Sequence, residues 1–166
     1  MKQITLYTDG ACRNNPGRGG YGAILMYNNN TKEISQGYTH TTNNRMELMA
    51  IIAALRMLKE KNLDITIYSD SQYVINSIQK GWLNTWLKTH FKGDKKNPDL
   101  WLQYYTVAKE HNINLVWVKG HADNVYNNRC DVLATKAADD TANLITDEGY
   151  LHEKETYVNM LAQNRT

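Results

Sequence analysis

The sequence predicts an α/β fold: a five-stranded mixed sheet, three antiparallel strands followed by two parallel ones, flanked by helices. Two observations predict it. Between Ile4 and Thr39, three segments of strand character are joined by short, turn-rich links, which imply an antiparallel meander. An amphipathic helix then leads into another strand, the signature of a right-handed crossover that lays the fourth strand parallel to the first.

Each element has its own reason. Ile4 to Asp9 alternates Ile4, Leu6 and Thr8 against Thr5, Tyr7 and Asp9. Asp9-Gly10 and the run Asn14-Asn15-Pro16-Gly17-Arg18-Gly19-Gly20 end it in a turn-rich loop. Tyr21 to Tyr27 and Lys32 to Thr39 are the next strands, split by the turn Asn28-Asn29-Asn30. The polar run Thr41-Thr42-Asn43-Asn44 passes directly into a helix running to about Lys61. Leu48, Ile51, Ile52, Leu55 and Leu58 form its apolar stripe, and Thr42, Asn43 and Asn44 are candidate N-caps. Asp64 to Ser69 is the fourth strand, and Ser71 to Gln79 is helical, with Asp70 or Ser71 as cap. Pro98 opens a segment through His111, Asn114 to Val118 is the fifth strand, and Asn127 to about Ala142 is a final helix. From Leu144 onward periodicity is weak, so a helical, docked or disordered tail all remain open.

The chain's 166 residues suit one domain with a real core. A net charge of +2 says little about partners. No stretch approaches the ~18 apolar residues a membrane span needs, and Met1-Lys2-Gln3-Ile4-Thr5 shows no signal-peptide h-region. Cys12 and Cys130 form no disulfide framework, so reduced thiols in a cytoplasmic protein are the expectation, with a monomer as the default.

The acids carry the chemistry. Asp9 ends the first strand and Asp70 lies just beyond the fourth, its parallel neighbour; that edge of an open sheet is where ligands bind. Glu47 sits on the apolar side of its helix's first turn, where an unpaired carboxylate is costly. Asp131 sits in the first two turns of the last helix. Taken singly, each Asp reads as a cap or turn residue, and Glu47 as a first-turn acid favoured by the helix dipole or one bonded to Arg45 or a cap amide. Taken together at one rim they repel, and a divalent cation resolves the repulsion. All donors are oxygens with no Cys/His cluster, so Mg²⁺ is expected, with Mn²⁺ as its substitute.

These residues carry a resemblance. Asp9-Gly10-Ala11-Cys12, Asn15-Pro16-Gly17, the run Thr41 to Leu48, Ser69-Asp70-Ser71-Gln72-Tyr73-Val74, Trp117-Val118-Lys119-Gly120-His121-Ala122 and Arg129-Cys130-Asp131 resemble the bacterial type 1 branch of the ribonuclease H family, in the family's order. The resemblance implies a ribonuclease H-like fold. It also implies an endonuclease that hydrolyses the RNA strand of RNA–DNA hybrids with two metal ions, leaving 3′-hydroxyl and 5′-phosphate ends. Asp9, Glu47, Asp70 and Asp131 match its metal-binding catalytic carboxylates. His121 matches the loop histidine assigned to leaving-group protonation or product release. Cys12, Asn15, Asn43, Asn44 and Gln72 match groups lining the hybrid, and Thr42 and Asn97 match a DNA-phosphate pocket. The amides suit this substrate, because a 2′-hydroxyl both donates and accepts. Residues 1–142 then form the catalytic domain and 143–166 a partly ordered or helical tail, with no separate N-terminal hybrid-binding module expected.

Lys80 to Asn97 interleaves Trp82, Trp86 and Phe91 with Lys80, Lys88, His90, Lys92, Lys95 and Lys96. A solvated helix with core tryptophans is the plain reading. The resemblance instead implies a protruding handle, in which Trp82, Lys88, Lys92, Lys95 and Lys96 meet the hybrid. Asn14, Asp123-Asn124-Val125 and Asn128 depart from the family pattern. A catalytically silent nucleic-acid binder is disfavoured by the intact carboxylate set. An integrase- or resolvase-like nuclease of the same superfold would lack the Thr-Thr-Asn-Asn-Arg-Met-Glu run.

Overall fold

The strand Gln3–Cys12 (β1) is the middle of the molecule. The computed structural model describes residues 2–91, 97–120, 124–152 and 162–163. β1 pairs antiparallel with Gly17–Tyr27 (β2), which pairs antiparallel with Asn30–Thr41 (β3). On its other side β1 pairs parallel with Asp64–Ser69 (β4), and β4 pairs parallel with Asn112–Trp117 (β5). The sheet therefore runs β3-β2-β1-β4-β5, the five-stranded mixed arrangement that the sequence predicts.

Alternation along β1 sorts the two faces. Ile4, Leu6 and Thr8 are buried on one face; Leu6 pairs with Leu25 and Thr8 with Ala23. The helix Asn43–Arg56 (α1) covers this side with Leu48, Ile51, Ile52 and Leu55, all buried. The helix Pro98–Ala108 (α4) packs on α1 and brings Leu100 and Trp101 into the same core. Between them in sequence lie the helices Gln72–Gln79 (α2) and Trp82–Lys88 (α3). The opposite face takes the helix Val125–Asp139 (α5), which lies across β1, β2 and β3. Its backbone comes so close that a Cβ on Gly22 would meet the Cys130 carbonyl oxygen at 2.6 Å. The chain then passes a 3-10 turn, Thr141–Asn143, and a short helix, Glu148–Leu151 (α6).

Several boundaries differ from the periodicity: β2 begins at Gly17 instead of Tyr21, β5 at Asn112 instead of Asn114, and α5 spans Val125–Asp139 instead of Asn127 to about Ala142. α1 stops at Arg56 instead of about Lys61: the Leu58 amide bonds the Leu55 carbonyl in a tightened last turn. Asn62 then takes φ 58° and donates its N–H to the Glu110 carbonyl, a tertiary bond that turns the chain out of the helix. The residues beyond Leu144 dock against β3, where Thr39 N–H donates to Ile145 O and Ile145 N–H to Gly37 O. Among the described residues no helix is long and apolar enough to cross a membrane.

Candidate active site

The site begins with a side chain that is missing. A Cβ on Gly10 would meet the Met46 Cβ at 2.8 Å and run into the Met46–Glu47 backbone. Glycine thus lets the start of α1 settle directly on the end of β1. The Gly10 N–H, so exposed, donates to Asp9 Oδ1 at 2.9 Å and to Glu47 Oε1 at 2.6 Å. One amide holds two carboxylates side by side. Thr42 caps α1 by accepting from the Arg45 N–H at 3.2 Å, which fixes where the helix starts and where Glu47 falls.

Asp70 arrives from the other parallel strand. Ser71 caps α2 by accepting from the Val74 N–H at 3.2 Å, so the Asp70 carboxylate is not used as that cap. Asp9, Glu47 and Asp70 each offer an oxygen, and these oxygens lie within 4.8 Å of one another. Asp131 lies outside that trio but lines the same cleft, of about 330 Å³, along with Asn43, Asn44, Gln72, Tyr73, Asn127 and Asn128.

Burial dominates the electrostatics. It pushes the Asp9 carboxyl up to about 7, relieved in part by its bond with Glu47 and reinforced by Asp70 and Asp131. Burial, then the charge of Asp9, raises Glu47 well above the usual carboxylate range. Glu47 Oε2 is buried with no hydrogen-bond partner among the described residues. An orphaned carboxylate oxygen among other carboxylates is the donor set that a hard divalent cation takes. Neither thiol offers a nucleophile, since burial pushes Cys12 up to about 11 and Cys130 to about 12.

The other expected residues divide. Asn43, Asn44 and Gln72 line the cleft. Asn15 Oδ1 accepts from the Asn43 N–H at 3.1 Å, tying the β1–β2 loop to the start of α1. Cys12 is half-buried at the end of β1. Asn97 is buried, accepts from Arg45 at 3.3 Å and donates to the Tyr73 hydroxyl at 3.1 Å. On α3, Trp82 is 43% exposed with the Lys80 Nζ 5.5 Å from its ring, and Lys88 ends the helix. Trp86 joins the core through Trp101 and Phe91, with ring centroids 6.0 and 6.2 Å away. His121, Lys92, Lys95 and Lys96 lie outside the described residues. Gly120, just before the histidine, packs against Asp70: a Cβ there would meet Asp70 Oδ2 at 2.8 Å.

Behind the site lies a buried ion cluster. Arg45 is 1% exposed and makes two-pronged contacts with Asp99, at 2.8 Å and 2.8 Å, and with Asp147, at 2.7 and 2.9 Å. Thr41 Oγ1 also donates to Asp147, at 2.7 Å. Arg45 therefore does not pair with Glu47; its charge is taken up by α4 and the C-terminal segment, which leaves Glu47 to the cleft.

The comparisons with known proteins agree on one family. The RNase H family profile matches residues 1–139. The chain belongs to the RNase H family. The ribonuclease H of Syntrophus aciditrophicus (strain SB) is 49% identical over 154 residues, covering 90% of this chain and 88% of that protein. The ribonuclease H of Desulforamulus reducens is 50% identical over 142 residues, covering 83% and 89%. Among solved structures, LC11-RNase H1 in complex with an RNA/DNA hybrid aligns with TM-score 0.66 and 25% identity, covering 84% of this chain and 99% of that one. RNase H1 from the halophilic archaeon Halobacterium salinarum NRC-1 aligns with TM-score 0.64 and 27% identity, covering 83% and 98%. The family places this chain among nucleases, hydrolases acting on RNA.

Sequence reasoning passes over Asn127. It lines the RNase H cleft one helical turn before Asp131, and that i, i+4 spacing on one helix face is the signal that could have found it.

Proposed function

We propose that this protein is an endonuclease that hydrolyses the RNA strand of RNA–DNA hybrids, leaving 3′-hydroxyl and 5′-phosphate ends. The observation that carries this reading is the carboxylate trio where the ends of two parallel strands meet the start of α1, with one buried oxygen unpartnered. The RNase H relatives support the substrate class, and a structural neighbour solved with an RNA/DNA hybrid supports the duplex type.

Asp9, Glu47, Asp70 and Asp131 would hold divalent metal, Mg²⁺ by the hardness of the all-oxygen donor set. Two such ions, when bound, supply water activation and charge stabilisation for phosphodiester hydrolysis. The chain's own residues do the rest. The Gly10 amide fixes Asp9 and Glu47 before any substrate arrives. Asn43, Asn44 and Gln72 offer donors and acceptors at the cleft wall, suited to a 2′-hydroxyl and so to telling RNA from DNA. Asn15 and Cys12 extend this wall along the end of β1. Thr42 and Asn97 form a phosphate-facing corner at the start of α1 and α4, with Asn97 held by Arg45 and Tyr73. His121, next in sequence after Gly120, delivers the proton to the leaving oxygen. Trp82, Lys88, Lys92, Lys95 and Lys96 grip the backbone of the hybrid away from the reacting bond. The enzyme works as a cytoplasmic monomer, with residues 1–142 as its catalytic domain and 143–166 as its tail.

A substrate panel tests the reading. The protein is incubated with Mg²⁺ and end-labelled hybrid, duplex DNA, duplex RNA or a four-way junction. Cleavage confined to the RNA strand of the hybrid is expected. Cleavage of duplex DNA or of the junction, with the hybrid intact, would overturn the proposal.

A further inference from the structure

Among the described residues three buried side-chain oxygens have no hydrogen-bond partner: Thr8 Oγ1, Glu47 Oε2 and Asn127 Oδ1. Two of the three residues line the one cleft that holds the acids. For Glu47 a cation explains the orphan. Asn127 calls for its own account. It is 2% exposed and sits in the first turn of α5, where its backbone N–H donates to the cap Asn124 at 2.9 Å. Its side-chain carbonyl takes no part in that cap. A buried amide oxygen without a donor is costly, so a fold does not keep one without return.

We infer that Asn127 is a positioning residue for the metal: its Oδ1 accepts a hydrogen bond from the hydration shell of the divalent cation held by Asp9, Glu47, Asp70 and Asp131. The inference rests on the metal-dependent reading given above. Its physical logic is charge. Mg²⁺ dehydrates reluctantly and keeps several waters, whose polarised hydrogens need acceptors. The cleft already gathers carboxylate oxygens of Asp9, Glu47 and Asp70 within 4.8 Å of one another, with Asp131 beside them. A further acid would deepen their repulsion. An amide supplies the same acceptor with no charge. Asn127 and Asp131, at i and i+4, then present a neutral and a charged oxygen from one helix face.

The test is Mg²⁺ affinity of the substrate-free protein, measured by calorimetry or NMR titration, with thermal unfolding of the metal-free protein alongside. Substrate-free measurement separates this role from contact with the hybrid, which would move KM alone. Asn127→Leu removes the acceptor at similar volume. It should weaken Mg²⁺ about 10-fold, as loss of outer hydrogen-bond partners of metal sites does, while the metal-free Tm holds or rises because the orphan is gone. Asn127→Asp keeps the oxygen and adds charge. It should bind Mg²⁺ at least as tightly as wild type and lower the metal-free Tm. Unchanged affinity in Asn127→Leu, or an equal loss of affinity in both variants, would overturn the inference. Should Asn127→Leu not fold, Asn127→Asp decides: binding at least as tight as wild type supports the role and weaker binding ends it. A wild-type protein that binds no Mg²⁺ and cleaves hybrid equally well in chelator would instead bring down the metal reading, and this inference with it.

Discussion

Gly10 and Arg45 do opposite things for the same carboxylate. Gly10 lets Glu47 approach Asp9, and Arg45, two residues earlier, is kept away from Glu47 by Asp99 and Asp147. Gly10→Ala should therefore wedge α1 off β1. An unfolding curve should show a loss of about 1–3 kcal/mol or more, the usual range for overpacking, together with lost hybrid cleavage. Arg45→Met would leave two buried carboxylates facing each other, and should cost about 3–5 kcal/mol. Asp147→Asn leaves the Arg45–Asp99 pair balanced, so its cost should be smaller, about 1.5–3 kcal/mol for a lost charged hydrogen bond. The pH dependence has a definite sign. Burial pushes Asp147 up, but Arg45 and Thr41 outweigh it and hold the carboxyl below the usual range. A depressed acid contributes stability above its unfolded value, about 3.9, and loses it as pH falls toward the folded value. The stability gap between wild type and Asp147→Asn should be constant above about pH 5 and shrink below about pH 4. A gap that widens in acid would contradict this account. His121→Ala should slow hybrid cleavage without abolishing it, by about 10²–10⁴-fold, the usual worth of positioned proton transfer; unchanged turnover would remove the histidine from the chemistry.

Among the elements, the starts of α1 and α2 were narrowed to two or three capping residues, while those of β2 and α5 lie two to four residues earlier than the pattern suggests. The beginning of α1 can be read from Thr42, whose oxygen serves an amide three residues on, and α2 from Ser71 in the same way. The end of α1 depends on Asn62 meeting Glu110, and the docking of the C-terminal segment on Asp147 meeting Thr41 and Arg45, 106 and 102 residues away. No local pattern encodes such bonds. α3 was ambiguous for another reason: Trp82 and Trp86 are identical in composition, and only the fold shows that Trp86 packs on Trp101 while Trp82 faces solvent. The exposed Trp82 beside Lys80 keeps the handle reading open to test. Replacing Lys88, Lys92, Lys95 and Lys96 together by Ala should raise KM and leave kcat nearly unchanged. Each lost phosphate contact should flatten the slope of log affinity against log salt by about 0.7–0.9. Wild type and variant with equal KM and parallel salt dependence would show these lysines to be an ordinary solvated face.

For the whole molecule, topology made the site findable. A meander followed by a crossover puts β1 and β4 side by side and parallel, so Asp9 and Asp70 meet without a single long-range contact having to be guessed. What topology could not show is how the acids are held together. One glycine amide shared by two carboxylates holds them side by side, while the nearby arginine is occupied elsewhere and neutralises neither. The central claim is that these carboxylates, by holding metal, make the protein a hybrid-specific ribonuclease. Asp70→Asn tests it most directly, since it removes one charge from the trio at nearly constant shape. The measurement is RNA-strand cleavage of a labelled hybrid at saturating Mg²⁺, with metal-free thermal stability recorded for the same protein. Cleavage should be abolished while stability holds or rises, because repulsion with Asp9 and Glu47 is relieved. Turnover near that of wild type in this variant would contradict that claim.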